Sequence, residues 1–359
     1  MTRRKAYGLI GVILSLMLIL AACGSNQPSA TRSNVTQAPA WAPTLSPLPQ
    51  QVVVKVGMKQ VSSDDGILIG MAKGYYQDLG IKIEPVQFNS GQEMINQLAA
   101  GQLDVGATVT ASGLFNAMSR DIPMKIVADK GINVPGQGYY RLVIRKDLVN
   151  TINDYTDLKG KKVAVVGTAS LDEIAADRVL AKAHLSLNDV DLQVIRSFSD
   201  MLVSLSNKSI DAAMLIEPFI AQGVAKNIID PWKDPADYDP NAQTALLVFG
   251  TSLTQRSDVA NRFMTAYIKS VRDYNDAFFK DINKAEMIDI LCKYSVIKDP
   301  ALYEKMFPTG LNPDGYVRMK GIEMDLAWYK EHKLIKDITI NDAVDNRYVD
   351  FALQVLGKY

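Results

Sequence analysis

Five short polar stretches stand where an apolar run gives way to a helix-like pattern: Ser62, Ser63 and Asp64; Asn89 and Ser90; Thr108 and Thr110; Thr168 and Ser170; and Glu217 with Pro218 and Phe219. Hydroxyl, amide and carboxylate groups in such turns exchange hydrogen bonds, so the chemistry they offer is non-covalent capture of a small polar molecule. In open α/β sheets the crevice lies beyond the carboxyl ends of the strands, where helix N-termini present unsatisfied N–H groups. Each of these residues would serve equally well as a plain cap of its own helix, and the ring carries more weight than any member. A carboxylate directly after the apolar run AAMLI, as at Glu217, is costly unless solvated or hydrogen-bonded. Glu217 can accept from ligand N–H groups, or cap the helix that Pro218 is suited to start, or pair across a cleft; the helix dipole alone would favour it there. The five turns hold no Arg or Lys, and Lys59 and Arg141 are near misses, which weakens an anionic ligand without excluding it, since helix N-termini bind anions unaided. Tyr139, Tyr140, Phe219 and Trp232 offer flat faces to a heterocycle, or simply packing area.

Catalytic constellations are missing. There is no GxSxG elbow, no HExxH, no GxxxxGK[ST] loop and no metal-ligand set, and His184 and His332 sit in helical stretches far apart in sequence. No catalytic residue, metal or cofactor is therefore expected, and an enzyme is the less favoured class. With 39 basic and 39 acidic residues among 359, and Arg3, Arg4 and Lys5 in a segment expected to be removed, the charge gives no reason to invoke nucleic acid.

Those three basic residues open an export signal. Leu9 to Leu20 is apolar but shorter than the roughly 20 residues that span a bilayer, and Leu20-Ala21-Ala22-Cys23 follows, the pattern of a bacterial lipoprotein signal over residues 1–22. Cys23 becomes the lipid attachment point and places the remainder outside the cytoplasm, anchored to the cell membrane; Arg3-Arg4 leaves a twin-arginine route open. Residues 23–51, rich in Ser, Thr, Pro, Ala and Gln, read as a disordered tether. Cys292, the other cysteine, lies in MIDILCKY and reads as a small core residue.

The elements that must position the turns follow in alternation. Val52 to Val56 is a strand and ILIGMAKGYYQD a helix; Ile81 to Phe88 is a second strand; Ser90 and Glu93 have capping-box spacing before Met94, Ile95 and Leu98; and Leu103 to Ala107 is a buried strand. Strands alternating with helices imply parallel sheets. The phrase from Asn89 to Thr110 recurs from Ser199 to Ile216, where Met201, Leu202, Leu205 and Asp211 repeat the offsets of Met94, Ile95, Leu98 and Asp104. Gly138 to Ile144 leaves the first unit, Val163 to Val166 begins a second alternation with Ser170 and Glu173 in capping-box spacing, and Ala245 to Phe249 returns. From Thr254 onward the pattern is helical, over 259–279, 284–294, 315–331 and 342–356.

The phrases GMAKGYYQDLGIKIE, AAGQLDVGATVT, DLKGKKVAVVGTAS, IDAAMLIEPF and NDAVDNRYVDFALQVLG, in that order, resemble the solute-binding proteins of ABC importers, in the group of taurine, alkanesulfonate, nitrate and thiamine-pyrimidine-precursor binders. The resemblance implies an α/β bilobal clamp of the periplasmic-binding-protein type (type II), with two parallel-type sheets, two hinge crossings and a helical C-terminal tail. Lobe one is expected over 52–140 plus 246–359 and lobe two over 141–245. The implied partners are a permease, its ATPase and the membrane, with the binder itself a monomer. In resembling proteins the Glu-Pro pair borders the cleft, and the aromatics look like the vitamin-related branch, which puts riboflavin first, a thiamine pyrimidine next and a sulfonate or nitrate as the alternative. The same fold serves a fungal thiamine-pyrimidine synthase, whose cysteine-rich iron motif has no counterpart here.

Overall fold

A computed structural model describes residues 45–359. The signal segment, Cys23 and most of the tether lie outside the described residues. Among the described residues ten strands form two five-stranded sheets. The first holds β1 (Val52–Met58), β2 (Ile81–Gln87), β3 (Val105–Thr108), β4 (Lys125–Gly131) and the late strand β10 (Ala245–Phe249), in the order β2-β1-β3-β10-β4. The second holds β5 (Tyr140–Arg145), β6 (Lys162–Val165), β7 (Asp191–Val194), β8 (Ala212–Ile216) and β9 (Ile229–Asp230), in the order β7-β6-β8-β5-β9.

Both sheets are mixed. β1 runs parallel to β2 and β3, and β6 parallel to β7 and β8, as the alternating pattern implies. The exceptions are the strands at the crossings: β10 is antiparallel to β3 and β4, and β5 is antiparallel to β8 and β9. Each arrives from the other sheet rather than over a covering helix, so the crossover that enforces parallel pairing is absent.

The repeated phrase is a repeated structure. Helix α2 (Gly91–Ala99) buries Met94, Ile95 and Leu98, and helix α5 (Phe198–Ser206) buries Met201, Leu202 and Leu205. Asp104 accepts from the Lys55 amide at 2.7 Å and Asp211 from the Lys162 amide at 2.9 Å, each across 49 residues. The helices lie close on their strands because the residues beneath are small. Gly57 pairs with Gly106 in the first sheet and Ala164 with Ala213 in the second; a Cβ on Gly106 would stand 2.5 Å from Leu98.

Capping is only half of the expected box. Ser90 accepts from the Glu93 amide at 3.4 Å, and the matching cap of α5 is Ser197, which accepts from Asp200 at 3.3 Å. Before helix α4 (Leu171–Ala181), Ser170 instead donates back to the Gly167 carbonyl, and Glu173 accepts from the Ala169 amide. Ser90→Ala and Ser197→Ala are each expected to cost about 1 kcal/mol, additively because they cap different layers. Urea midpoints would show this, and an unchanged midpoint in either variant would remove that cap from the account.

The helical tail is longer-jointed than the pattern implied. Helices Ser257–Lys280 and Arg347–Leu356 pack with α1 (Asp65–Ala72) on the first sheet, around Phe249, Phe263 and Tyr348. Helix Met319–Glu331 covers the opposite face with α2 and α3 (Ser112–Met118), while residues 315–318 stay outside the helix and Ile340–Ala343 forms a separate short helix. The second sheet has its own core, centred on Val143, Val165, Met201 and Met214.

Candidate ligand-binding site

The carboxyl ends of β1, β3, β6 and β8 bring their turns toward one another, and the two layers meet there through the chain's own backbone. Ser62 donates its amide to the Glu217 carbonyl at 3.1 Å, Ser112 to Ala169 at 2.9 Å and Leu171 to Thr110 at 3.0 Å. At the far edge Trp328 Nε1 donates to Asp177 at 2.8 Å, and Arg178 spans Asp239 at 2.6 Å and Asp325 at 2.8 Å. Asp325 also accepts from Thr110 Oγ1 at 2.6 Å. Burial pushes the Asp325 carboxyl up to about 6, against the pull of Arg178.

Most of the side chains singled out from sequence are committed to the protein. Ser62 Oγ pairs with Thr309 Oγ1 at 2.8 Å. Ser63 Oγ takes a hydrogen bond from Lys130 Nζ at 2.7 Å. Asp64 is fully buried, 2.7 Å from Lys130 Nζ, and accepts from the amides of Lys59 and Val61. Thr108 donates to Gly91 O at 3.5 Å. Tyr139 and Tyr140 leave β5 on opposite faces, where the hydroxyl of Tyr139 meets Thr244 at 2.7 Å and that of Tyr140 donates to Asp172 at 2.9 Å. Neither ring offers a face, being 0% and 5% exposed, because a strand covered on both sides has none to spare. Trp232 packs edge-on against Tyr155, away from the turns. Thr168 is exposed.

Glu217 is entirely buried, and its carboxylate accepts from Ala221 N at 3.0 Å and from Phe307 N of the tail at 3.1 Å. The carboxylate thus caps its own helix and holds a tail amide, but forms no ion pair among the described residues. Burial raises its carboxyl to about 7, with those two amides and Arg141 opposing. Arg141 lies with its guanidinium carbon 4.7 Å from the centre of the Phe307 ring.

The open space lies beside these groups. A pocket of about 280 Å³ is lined on one side by Lys59, Phe88 and Asn89 and on the other by Ser197, Phe198 and Phe219. Phe198 and Phe219 are stacked with centroids 6.0 Å apart, Lys59 Nζ stands 6.0 Å from the Phe198 ring, and the hydroxyls of Ser197 and Ser199 are 2.7 Å apart at the N-terminus of α5. Lys59 has no carboxylate within 4 Å among the described residues. It is half-buried by exposed area yet set deep among surrounding atoms, and this desolvation lowers its pKa despite Asp172 and Asp64 nearby. Of the sequence-derived residues, Asn89 and Phe219 line this pocket and the others do not. In the sequence Lys59 is only a near miss because it stands one residue beyond β1, before the polar turn. Ser197 was missed because the comparison of repeats began at Ser199, two residues inside the helix.

Two mixed α/β layers joined by two crossings, with a cleft between the carboxyl ends of their strands, constitute the periplasmic-binding-protein fold. The chain belongs to the NMT1/THI5-like family, whose profile matches residues 64–276. A protein of Bacillus subtilis (strain 168), provisionally named an aliphatic sulfonates-binding protein, is 24% identical over 355 residues, 97% of each chain. The alkanesulfonate-binding protein SsuA of Xanthomonas axonopodis pv. citri, solved with MOPS, superposes with a TM-score of 0.67 at 16% identity, over 83% of this chain and 100% of that one. The 4-amino-5-hydroxymethyl-2-methylpyrimidine phosphate synthase of Schizosaccharomyces pombe is 27% identical over 151 residues, 42% of this chain and 40% of its own.

Proposed function

We propose that this chain is the solute-binding component of an ABC importer, held outside the cytoplasm by a lipid on Cys23, and that it captures a small organic sulfonate between its lobes. Closure on the solute would present it to a permease driven by an ATPase. The observation that carries the anionic ligand is Lys59, an ammonium without an ion-pair partner among the described residues, facing a pocket whose opposite wall holds the Ser197 and Ser199 hydroxyls and the N-terminus of α5. A sulfonate needs such a donor set, and the phenylalanines beside it suit a carbon tail. The Bacillus and Xanthomonas relatives point the same way.

A flat heteroaromatic vitamin, riboflavin or a thiamine pyrimidine, is the second reading, and the Phe198–Phe219 pair on the pocket wall favours it. Calorimetric titration of the purified protein with ethanesulfonate, taurine, nitrate, riboflavin and a thiamine pyrimidine separates the two. Lys59→Met is expected to weaken the sulfonate roughly 10- to 100-fold, the worth of one charge-assisted hydrogen bond. Saturable riboflavin binding indifferent to Lys59→Met would replace the sulfonate reading with the vitamin. Turnover of any of these compounds would replace it with an enzyme.

A further inference from the structure

A second cavity, of about 180 Å³, adjoins the Lys59 pocket and shares Gln60 and Val296 with it. Its walls are mainly apolar, formed by Leu68 and Met71 of α1, Ile297 and Tyr303 of the tail, and Pro218, which closes it from the second lobe. One carboxyl group lines it, that of Asp65, at 3% exposure.

Asp65 is the first residue of α1, where the helix dipole favours a carboxylate. That accounts for its sign but not for its surroundings. Neighbouring Asp64 has Lys130 and two amides, whereas Asp65 accepts no hydrogen bond from any described residue. Nor are its oxygens among the buried atoms sealed without a partner, so they face the cavity. A buried carboxylate without a donor is costly enough that native chains seldom keep one unused. Of its polar lining, Ser62 pairs with Thr309 and Ser295 with the Tyr303 hydroxyl at 2.8 Å, and none of Gln60, Ser62, Gln87, Ser295 and Tyr303 donates to Asp65.

We propose that this cavity is a second half of the solute site, taking an apolar carbon body that ends in an ammonium group, with Asp65 as the residue that selects for it. A cation arriving at Asp65 supplies the missing charge and donors together. Burial, with Asp64 adding to it, otherwise pushes the Asp65 carboxyl well above the ordinary carboxylate range. In combination with Lys59, and resting on the anionic reading for that half alone, the favoured solute is amphoteric: an acid at one end, several carbons, and an amine at the other.

Three probes test this by calorimetry: butanesulfonate, 4-aminobutanesulfonate and butylammonium. Wild type is expected to bind 4-aminobutanesulfonate at least ~10-fold more tightly than butanesulfonate. Asp65→Asn should erase that advantage while leaving butanesulfonate within about 2-fold, since one uncharged group replaces another of the same shape. Met71→Trp, at a half-buried wall position outside the Lys59 pocket, should do the same by filling the cavity, and serves if Asp65→Asn fails to fold. Equal affinity for the two sulfonates in wild type, or an equal loss of both in Asp65→Asn, overturns the assignment. Binding of butylammonium that depends on Asp65, with no binding of either sulfonate, sinks the sulfonate reading and leaves the Asp65 site standing; no binding of any probe sinks both.

Discussion

Lys130→Met is expected to destabilise the protein by about 3–5 kcal/mol, because it removes one partner of a fully buried ion pair and strands the other. Lys130 Nζ lies 2.7 Å from Asp64 Oδ1 and 2.7 Å from Ser63 Oγ, and both charged side chains are 0% exposed. Without the ammonium, Asp64 keeps only the amides of Lys59 and Val61 on its other oxygen. Two amides do not offset the transfer of a carboxylate out of water. The loss would reach beyond stability: the turn that Lys130 holds also carries the Ser62 amide to Glu217 and the Ser62 hydroxyl to Thr309, so the edge of the cleft loosens with it. The double variant Asp64→Asn/Lys130→Met should recover much of the deficit, since no charge then remains buried. Urea unfolding of the three variants decides it. A single-variant cost below about 1 kcal/mol, or a double variant no better than the single, would mean that the pair is not what fixes the turn.

That pair also marks where the sequence stops being informative. The apolar run Met124 to Ala128 marks a strand, but β4 continues to Gly131 through Asp129 and Lys130, charged residues that no apolar pattern marks. Asp129 is paid for by Gln243 and Asn312, and Lys130 by Asp64, partners more than sixty residues away that no local window contains. The same limit governs the site. Alternation of strand and helix, the repeat of Met94, Ile95 and Leu98 as Met201, Leu202 and Leu205, and the five turns at strand ends are set by short-range periodicity and are all present in the fold. Whether a polar turn residue faces the cleft or satisfies its neighbours depends on packing between layers. Hence the backbones of Ser62 and Thr110 bond across the layers while their hydroxyls and the Glu217 carboxylate turn to the tail, and only Asn89 and Phe219 of the sequence-derived residues line the Lys59 pocket. Lys59 and Asp65 flank the Ser62 to Asp64 turn, and what marks them, a charged side chain with no ion-pair partner among the described residues, is a property of three dimensions.

Glu217 gives the protein an unusual dependence on pH. Its carboxyl sits at about 7 in the folded chain against 4.5 for an exposed glutamate, because burial outweighs the amides of Ala221 and Phe307. A group whose folded value is raised contributes stability that is fully present below its unfolded value and is lost as pH rises through the folded one. Between about pH 4.5 and 7 the folded protein therefore binds the proton more tightly, and ionising Glu217 by pH 8 removes about 3 kcal/mol. Asp129 and Asp325, both pushed up to about 6 by burial, act in the same direction over a lower range. The urea midpoint is accordingly expected to be higher near pH 5 than at pH 8, opposite to the acid lability of a protein held by exposed ion pairs. Glu217→Gln should flatten the part of the decline centred near pH 7 and leave the lower part. Since Ser62 and Phe307 cover Glu217 from the other lobe, its ionisation favours exposure to water and hence the open clamp. The sulfonate proposed above as the solute keeps its charge throughout this range, so its affinity is expected to fall from pH 6 to pH 8 in wild type and stay level in Glu217→Gln. Small-angle scattering at the two pH values supplies the structural check: equal dimensions for wild type at pH 6 and pH 8 would detach Glu217 from lobe closure.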